Sequence, residues 1–236
     1  MKNRILFSVI AVLIFTLMAC NLESSEEIMD SPFSAVQIGD TIHFGELDWI
    51  VLEIEDGKAL IISEKILSQR QWHYEQRLLT WEPSEIRNYL NGSFLEETFS
   101  DEEKNLILEA NIVNNANLWY ASAGAGVDTQ DRVFLLSLEE VVKYFGDSGI
   151  LSRYAGEGAS GLPLVFIYDE YNDKRRAEPI NDDIISWWWL RTPGRAYNAL
   201  VDSSAAAVNG IGEIVPYGIY LVAEGGVRPA MWVRMK

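Results

Sequence analysis

Hydrophobic and polar positions alternate, then lose their alternation, in a way that divides the chain into distinct stretches. "VQIGDTIHFG" and "LDWIVLEIEDGKALIIS" (36–63) are rich in β-branched and aromatic residues, and Asp56-Gly57 stands between two such runs. A tight primed turn needs positive φ, which glycine accepts, so this segment predicts a β-hairpin. Helical spacing follows. "EPSEIRNYLNG" places Ile86 and Leu90 four apart and reaches Asn91-Gly92 as a stop. "SDEEKNLILEA" and "SLEEVVKYFG" each open on a serine with glutamate three residues on, Ser100 with Glu103 and Ser137 with Glu140. Those are capping boxes, in which serine and glutamate satisfy each other's free backbone amides. Gly146 closes the second helix, and "DRVFLLS" before it reads as a short buried strand.

From Asp147 to Asp183 the pattern is irregular, with "LPLVFIY" a candidate strand between two loop-like stretches. The remainder is β-rich: "IISWWWLR", "AYNALVD", "SAAAV" and "IGEIV" around Asn209-Gly210, "GIYLVA" and "GVRPAMWVRM". Asn209-Gly210 is a second tight-turn signal. With no βαβ alternation, the expected class is α+β: short helices in the first half, and a mixed, mostly antiparallel twisted sheet built largely from the second half. No internal repeat is visible.

The first residues follow a different logic. Lys2 and Arg4 precede an apolar run, Ile5 to Leu17, of signal-peptide length and short for a bilayer span. The run ends in "LMAC", and Cys20 is the sole cysteine. A small residue directly before such a cysteine resembles the bacterial lipoprotein cleavage box. That resemblance implies removal of 1–19, acylation of Cys20 and anchoring through two or more acyl chains. The alternatives are an uncleaved anchor or an ordinary secretory signal. Acidic, serine-containing residues 20–35 read as a flexible tether, leaving 36–236 as one domain. The expected location is extracytoplasmic, on the bacterial cell membrane.

Composition narrows the chemistry. With Cys20 lipidated, no disulfide, thiolate nucleophile or cysteine metal site is available. The net charge of −16 becomes about −18 once Lys2 and Arg4 are removed. Such a surface repels polyanions, so no nucleic-acid partner is expected. "GAGVD" (124–128) opens no helix and is no dinucleotide fingerprint; "GASGL" lacks the glycine of a nucleophile elbow. Two histidines, His43 in a strand and His73 in a loop, form no metal-spaced pair. No cofactor is expected. Acids are abundant enough for the carboxylate pair of a hydrolase, although no spacing selects one. "EPIND" offers hard oxygens from Glu178, Asn181 and Asp182, a weak calcium candidate that faintly resembles the Glu-Pro-Asn loop of calcium-dependent lectins.

"WWWLRTPG" poses the central question. On an extended strand Trp187, Trp189 and Arg191 share one face, and Trp188 and Leu190 the other. Apolar residues on both faces predict an interior strand, with Arg191 paired to a buried acid. The alternative is an exposed aromatic shelf for sugars.

The same motif, Trp187-Trp188-Trp189-Leu-Arg191-Thr-Pro193-Gly, followed by "GVRPAMWV" with Arg228, Pro229 and Trp232, resembles the signature of a bacterial family, domain of unknown function 6273. "IHFGELDWIVLEIEDGKALIIS", "TWEPSEIRNYLNGSFLEETFSDEEK" and "DTQDRVFLLSLEEVVKYF" also match, so the likeness spans about Val36 to Lys236. Thr192 stands where serine is commoner. The resemblance implies no agreed activity. It implies a C-type-lectin-like fold, in the variant of the formylglycine-generating enzymes, whose active-site cysteines are missing here. In that fold the segment between the two signatures forms part of a ligand surface. Tyr197, Asn198, Asp202, Ser203, Asn209, Tyr217 and Tyr220 are therefore candidate contacts, with ordinary loop residues as the alternative. The expected function is binding an extracellular protein or glycan. The rivals are an envelope-associated hydrolase and a purely structural lipoprotein.

Overall fold

In a computed structural model, residues 36–121, 124–155, 166–196 and 203–235 are described. The signal segment, Cys20 and the tether therefore lie outside the described residues, as do Tyr197, Asn198 and Asp202. No helix among the described residues is long and apolar enough to cross a membrane.

Two five-stranded sheets dominate. The first has the order β1 (Thr41–Phe44), β2 (Leu47–Glu55), β3 (Lys58–Ser63), β12 (Ala230–Arg234), β5 (Ile107–Leu108). The second runs β10 (Ile214–Tyr220), β9 (Ser204–Val208), β8 (Trp188–Pro193), β11 (Glu224–Val227), β4 (Ser68–Gln71). A small pair joins β6 (Ala110–Ile112) to β7 (Thr129–Asp131). Among the described residues every strand-to-strand pairing is antiparallel except β8 with β11. The α+β class with mostly antiparallel sheets holds. The expectation that the sheet comes largely from the second half holds for the second sheet and not for the first, because the first half supplies four of five strands of the first sheet and one edge of the second. The reason is long-range: β3 pairs with β12 across most of the chain, and no local pattern reports that partner.

The two sheets share a corner. β3 ends at Ser63 and β4 begins at Ser68 in the other sheet, while β11 and β12 make the reverse crossing through Arg228-Pro229. The crossings run side by side: Ser63 N–H donates to the Pro229 carbonyl at 2.9 Å and Leu67 N–H to the Val227 carbonyl at 2.9 Å. Arg228 closes the corner. Its Nε donates to the Ser63 carbonyl at 2.9 Å, and its guanidinium lies 5.0 Å from the Trp188 ring centroid and 5.3 Å from that of Phe145. Complete burial pulls its pKa down to about 9, still charged at neutral pH. Cation–π contact and carbonyls offset part of the cost of burying that charge.

Local signals fare well at caps and less well inside elements. Asp56 and Gly57 both have positive φ, as the hairpin requires. Both capping boxes form, at the starts of α3 (Asp101–Lys104) and α4 (Leu138–Phe145). Asn91-Gly92, expected as a stop, instead lies within a continuing helix. α1 (Glu85–Tyr89) passes into a π-helical turn, Leu90–Phe94, and then α2 (Leu95–Thr98). Gly92 absorbs the kink at φ −114°, ψ −109°. The Asn91 amide turns inward, donating to the Val133 carbonyl at 2.8 Å and accepting from Arg132 N–H at 2.8 Å. Buried Phe94 and Leu95 explain why the helix carries on. Helix α3 stops after four residues because Ile107 and Leu108 are taken by β12. Val133 to Leu136 are buried as predicted, but only Phe134 bridges, to Ala230. Asn209-Gly210 is no two-residue turn. The loop from Asn209 to Glu213 has its positive φ at Gly212 (+85°). Two further short helices, α5 (Ile150–Arg153) and α6 (Asn172–Arg175), lie among the described residues, whose buried apolar side chains form one cluster.

Candidate functional site

The tryptophan strand answers its own question. β8 is the central strand of its sheet, and every residue from Trp188 to Pro193 is buried. Trp188 and Trp189 are fully enclosed, opposite Val208 and Ala207 of β9, whose alanines leave room for the indoles. Burial of that area stabilises by about 4–6 kcal/mol per indole. Each indole N–H is satisfied: Trp188 donates to the Arg175 carbonyl at 3.2 Å, Trp189 to the Arg70 carbonyl at 2.9 Å. Trp187, just before the strand, is half-buried and packs edge-to-face on Trp189 with centroids 4.7 Å apart. The rings cover Gly225, where a Cβ would collide with both. The indoles are core, not a shelf.

Arg191 finds its acid. Its guanidinium forms a bidentate pair with Glu140, Nη2 to Oε1 at 2.8 Å and Nη1 to Oε2. Its Nη groups also donate to the carbonyls of Leu135 (2.8 Å) and Val113 (3.2 Å). Glu140 simultaneously accepts from Ser137 N–H at 2.8 Å, so the capping glutamate of α4 is also the counter-ion of the signature arginine. Pro193 is held by Asn117, whose amide donates to the Pro193 and Pro216 carbonyls, each at 2.8 Å.

Two open concavities flank this core. A cleft of about 360 Å³ lies over the first sheet and α4, with Glu53, Lys143, Tyr144, Arg191 and Trp232 in its lining. Lys58 sits 4.5 Å from the centre of the Trp232 ring. Glu53 accepts from Tyr144 Oη at 2.5 Å and from Lys143 Nζ at 2.9 Å. The Tyr144 hydroxyl, more than Lys143, holds the Glu53 carboxyl below its usual range against the opposing effect of burial. Burial and the Glu53 charge push the Tyr144 phenol up. At neutral pH this is a carboxylate with a protonated phenol, and neither is poised to transfer a proton.

The second concavity, about 460 Å³, lies between edge strand β4 and α1. Gln69, Arg70, Gln71, Tyr74, Glu85, Ile86, Tyr89, Ser93 and Glu224 line it. Glu85 and Tyr89 are four apart on the outer face of α1, whereas Ile86 and Leu90 face the core.

Of the inter-signature candidates, Ser203, Asn209, Tyr217 and Tyr220 lie among the described residues. Ser203 is fully buried, and its carbonyl accepts from Gln76 Nε2. Asn209 is spent on its own loop, accepting from Ile211 and Glu213 N–H and donating to Glu213 Oε2 at 2.6 Å. Tyr217 packs edge-to-face on Phe166 at 5.5 Å. Tyr220 is half-exposed at the head of a turn whose Leu221 and Val222 carbonyls accept from His73 N–H and Gln71 Nε2. Glu178, Asn181 and Asp182 are exposed; Glu178 pairs with Arg176 at 3.3 Å, and Asn181 caps Asp183 N–H. No grouping of three or more histidine, cysteine or acidic side chains suited to a metal occurs among the described residues.

A family model described as Domain of unknown function (DUF6273) matches residues 56–235. The chain belongs to the DUF6273 family. No curated protein and no solved structure matches it. The DUF6273 signatures map onto structure with clear purposes. "WWWLRTPG" is the central strand and its ion pair, and "VRP" is the corner between the sheets. The lining of the β4–α1 groove, by contrast, was missed in the sequence. Arg70 and Tyr89 meet only through folding, and the sole local signal was the i, i+4 pair Glu85–Tyr89.

Proposed function

We propose that this DUF6273 protein is a lipid-anchored extracytoplasmic binding protein whose C-type-lectin-like domain holds a ligand without transforming it. The fold reading is supported by the tryptophan strand at the centre of one sheet and the Val-Arg-Pro strand inside the other. The anchor reading rests on "LMAC" and Cys20. The observation that carries binding is the pair of open concavities beside a rigid core whose own aromatic strand is consumed by packing. The hydrolase reading needs a carboxyl raised toward neutrality. Glu53, the carboxyl bonded to Tyr144 in the cleft over the first sheet, moves the other way.

Two measurements test this. Cys20→Ala should move the protein from the membrane fraction to the soluble fraction; retention would refute acylation. The full chain in detergent should bind envelope extract saturably, in either the polymer or the protein fraction. Saturable binding to neither would refute the binding role.

A further inference from the structure

The groove between β4 and α1 has features that ordinary surface does not need. Arg70 lies over the Tyr89 ring with its guanidinium carbon 3.5 Å from the centroid. Among the described residues that guanidinium has no carboxylate or carbonyl acceptor. A guanidinium packed against an aromatic ring is held in place while its N–H groups remain able to reach an acceptor. Tyr74 stands nearby, 58% exposed, with its ring 4.4 Å from the His73 ring at a 32° tilt. His73 is itself sealed from solvent, so one side of Tyr74 is backed and the other is open. Gln71 anchors its amide nitrogen on the Val222 carbonyl at 2.8 Å, leaving its amide oxygen available. Glu224 is positioned by Gln69 Nε2 at 3.1 Å, and Glu85 by α1.

The supporting frame is stiff. Trp189 Nε1 holds the Arg70 carbonyl, and β4 is paired along its length with β11. The groove's volume falls within the range of small-molecule sites, about 300–1,000 Å³. Its chemistry is selective. Two carboxylates against one guanidinium oppose a polyanion. Its apolar lining is limited to ring faces and buried Ile86, which offers no apolar slot for an aliphatic peptide side chain. An open tyrosine face beside fixed amide, carboxylate and guanidinium groups matches a ring with C–H bonds on its faces and hydroxyls at its rim.

We infer that the β4–α1 groove is a calcium-independent subsite for a neutral pyranose oligosaccharide. A sugar ring stacks on Tyr74, and its hydroxyls are read by Arg70, Gln71, Glu85 and Glu224. This rests on the binding role proposed above and moves the contact surface from the inter-signature candidates to the β4–α1 groove, to which the segment between the two signatures contributes Glu224.

The test uses the full chain in detergent, titrated calorimetrically with cellotetraose and chitotetraose, with tri-galacturonate as the anionic control, in chelator. At least one neutral tetrasaccharide should bind and tri-galacturonate should not. Tyr74→Ala and Arg70→Gln should each weaken binding by up to about tenfold, given the worth of one aromatic contact. Both positions are exposed, so melting temperatures should hold, and Tyr220→Ala should bind like the parent. Neutral-sugar binding unaffected by Tyr74→Ala and Arg70→Gln would overturn the groove while leaving a sugar-binding role. Binding lost only in Tyr220→Ala would return the site to the inter-signature segment. No sugar binding alongside saturable capture of envelope protein would overturn this inference and spare the binding role; no binding of either kind would sink both.

Discussion

Glu140→Gln separates two duties that one side chain performs. Glutamine is an accepted residue in a capping box and retains an acceptor for Ser137 N–H. What it removes is the charge that balances Arg191, whose side chain is 4% exposed against 26% for Glu140. Breaking a buried pair by deleting one partner costs about 3–5 kcal/mol, because the remaining charge stays buried. Glu140 is partly solvated and Arg191 keeps two carbonyl acceptors, so the lower end, about 3 kcal/mol, is expected. For a domain of this size that is a fall of roughly 6–12 °C in Tm. Ser137→Ala supplies the control, losing the cap and keeping the pair, at about 1 kcal/mol. Urea denaturation of both variants, with Arg191→Met and the double variant completing a cycle, gives a coupling energy of about 2 kcal/mol on this account. The reasoning fails if Glu140→Gln is no more destabilising than Ser137→Ala, or if the coupling is near zero.

Two further expectations follow from buried groups. Burial, then the charge of Arg77, lowers the His73 pKa, while Glu85 and Glu75 act weakly the other way. The unfolded chain therefore protonates first, from about pH 6.5 downward. Stability contributed by neutral His73 is complete above that pH and lost as pH falls toward the folded-state pKa. The urea midpoint should drop between pH 7.5 and 5.5, and His73→Phe should flatten the drop; equal slopes would exclude the histidine. At Gly225 an added methyl meets Trp187 and Trp189, so Gly225→Ala should cost about 1–3 kcal/mol and alter the near-UV circular dichroism. An unchanged spectrum and midpoint would mean the indoles are not packed there as described.

The sequence by itself determined whatever depends on neighbours along the chain. The Asp56-Gly57 hairpin, the two capping boxes and the Gly146 stop are legible because the interacting groups lie within a few residues of one another. Interior tryptophans followed from apolarity on both faces, and a buried arginine demanded an acid. Which acid, the sequence could not say: Glu140 was visible as a cap, and only the docking of α4 against β8 made it a counter-ion as well. Tertiary structure likewise decided that β12 returns to β3, that Arg228 closes the corner between sheets, and that helix continues through Asn91-Gly92. It also brought Arg70, Tyr74 and Tyr89 around one groove from separate elements. The partner of β12 and the walls of the groove are set by contacts between residues tens to hundreds of positions apart. Their energies appear only when the chain has closed on itself, so no local pattern encodes them.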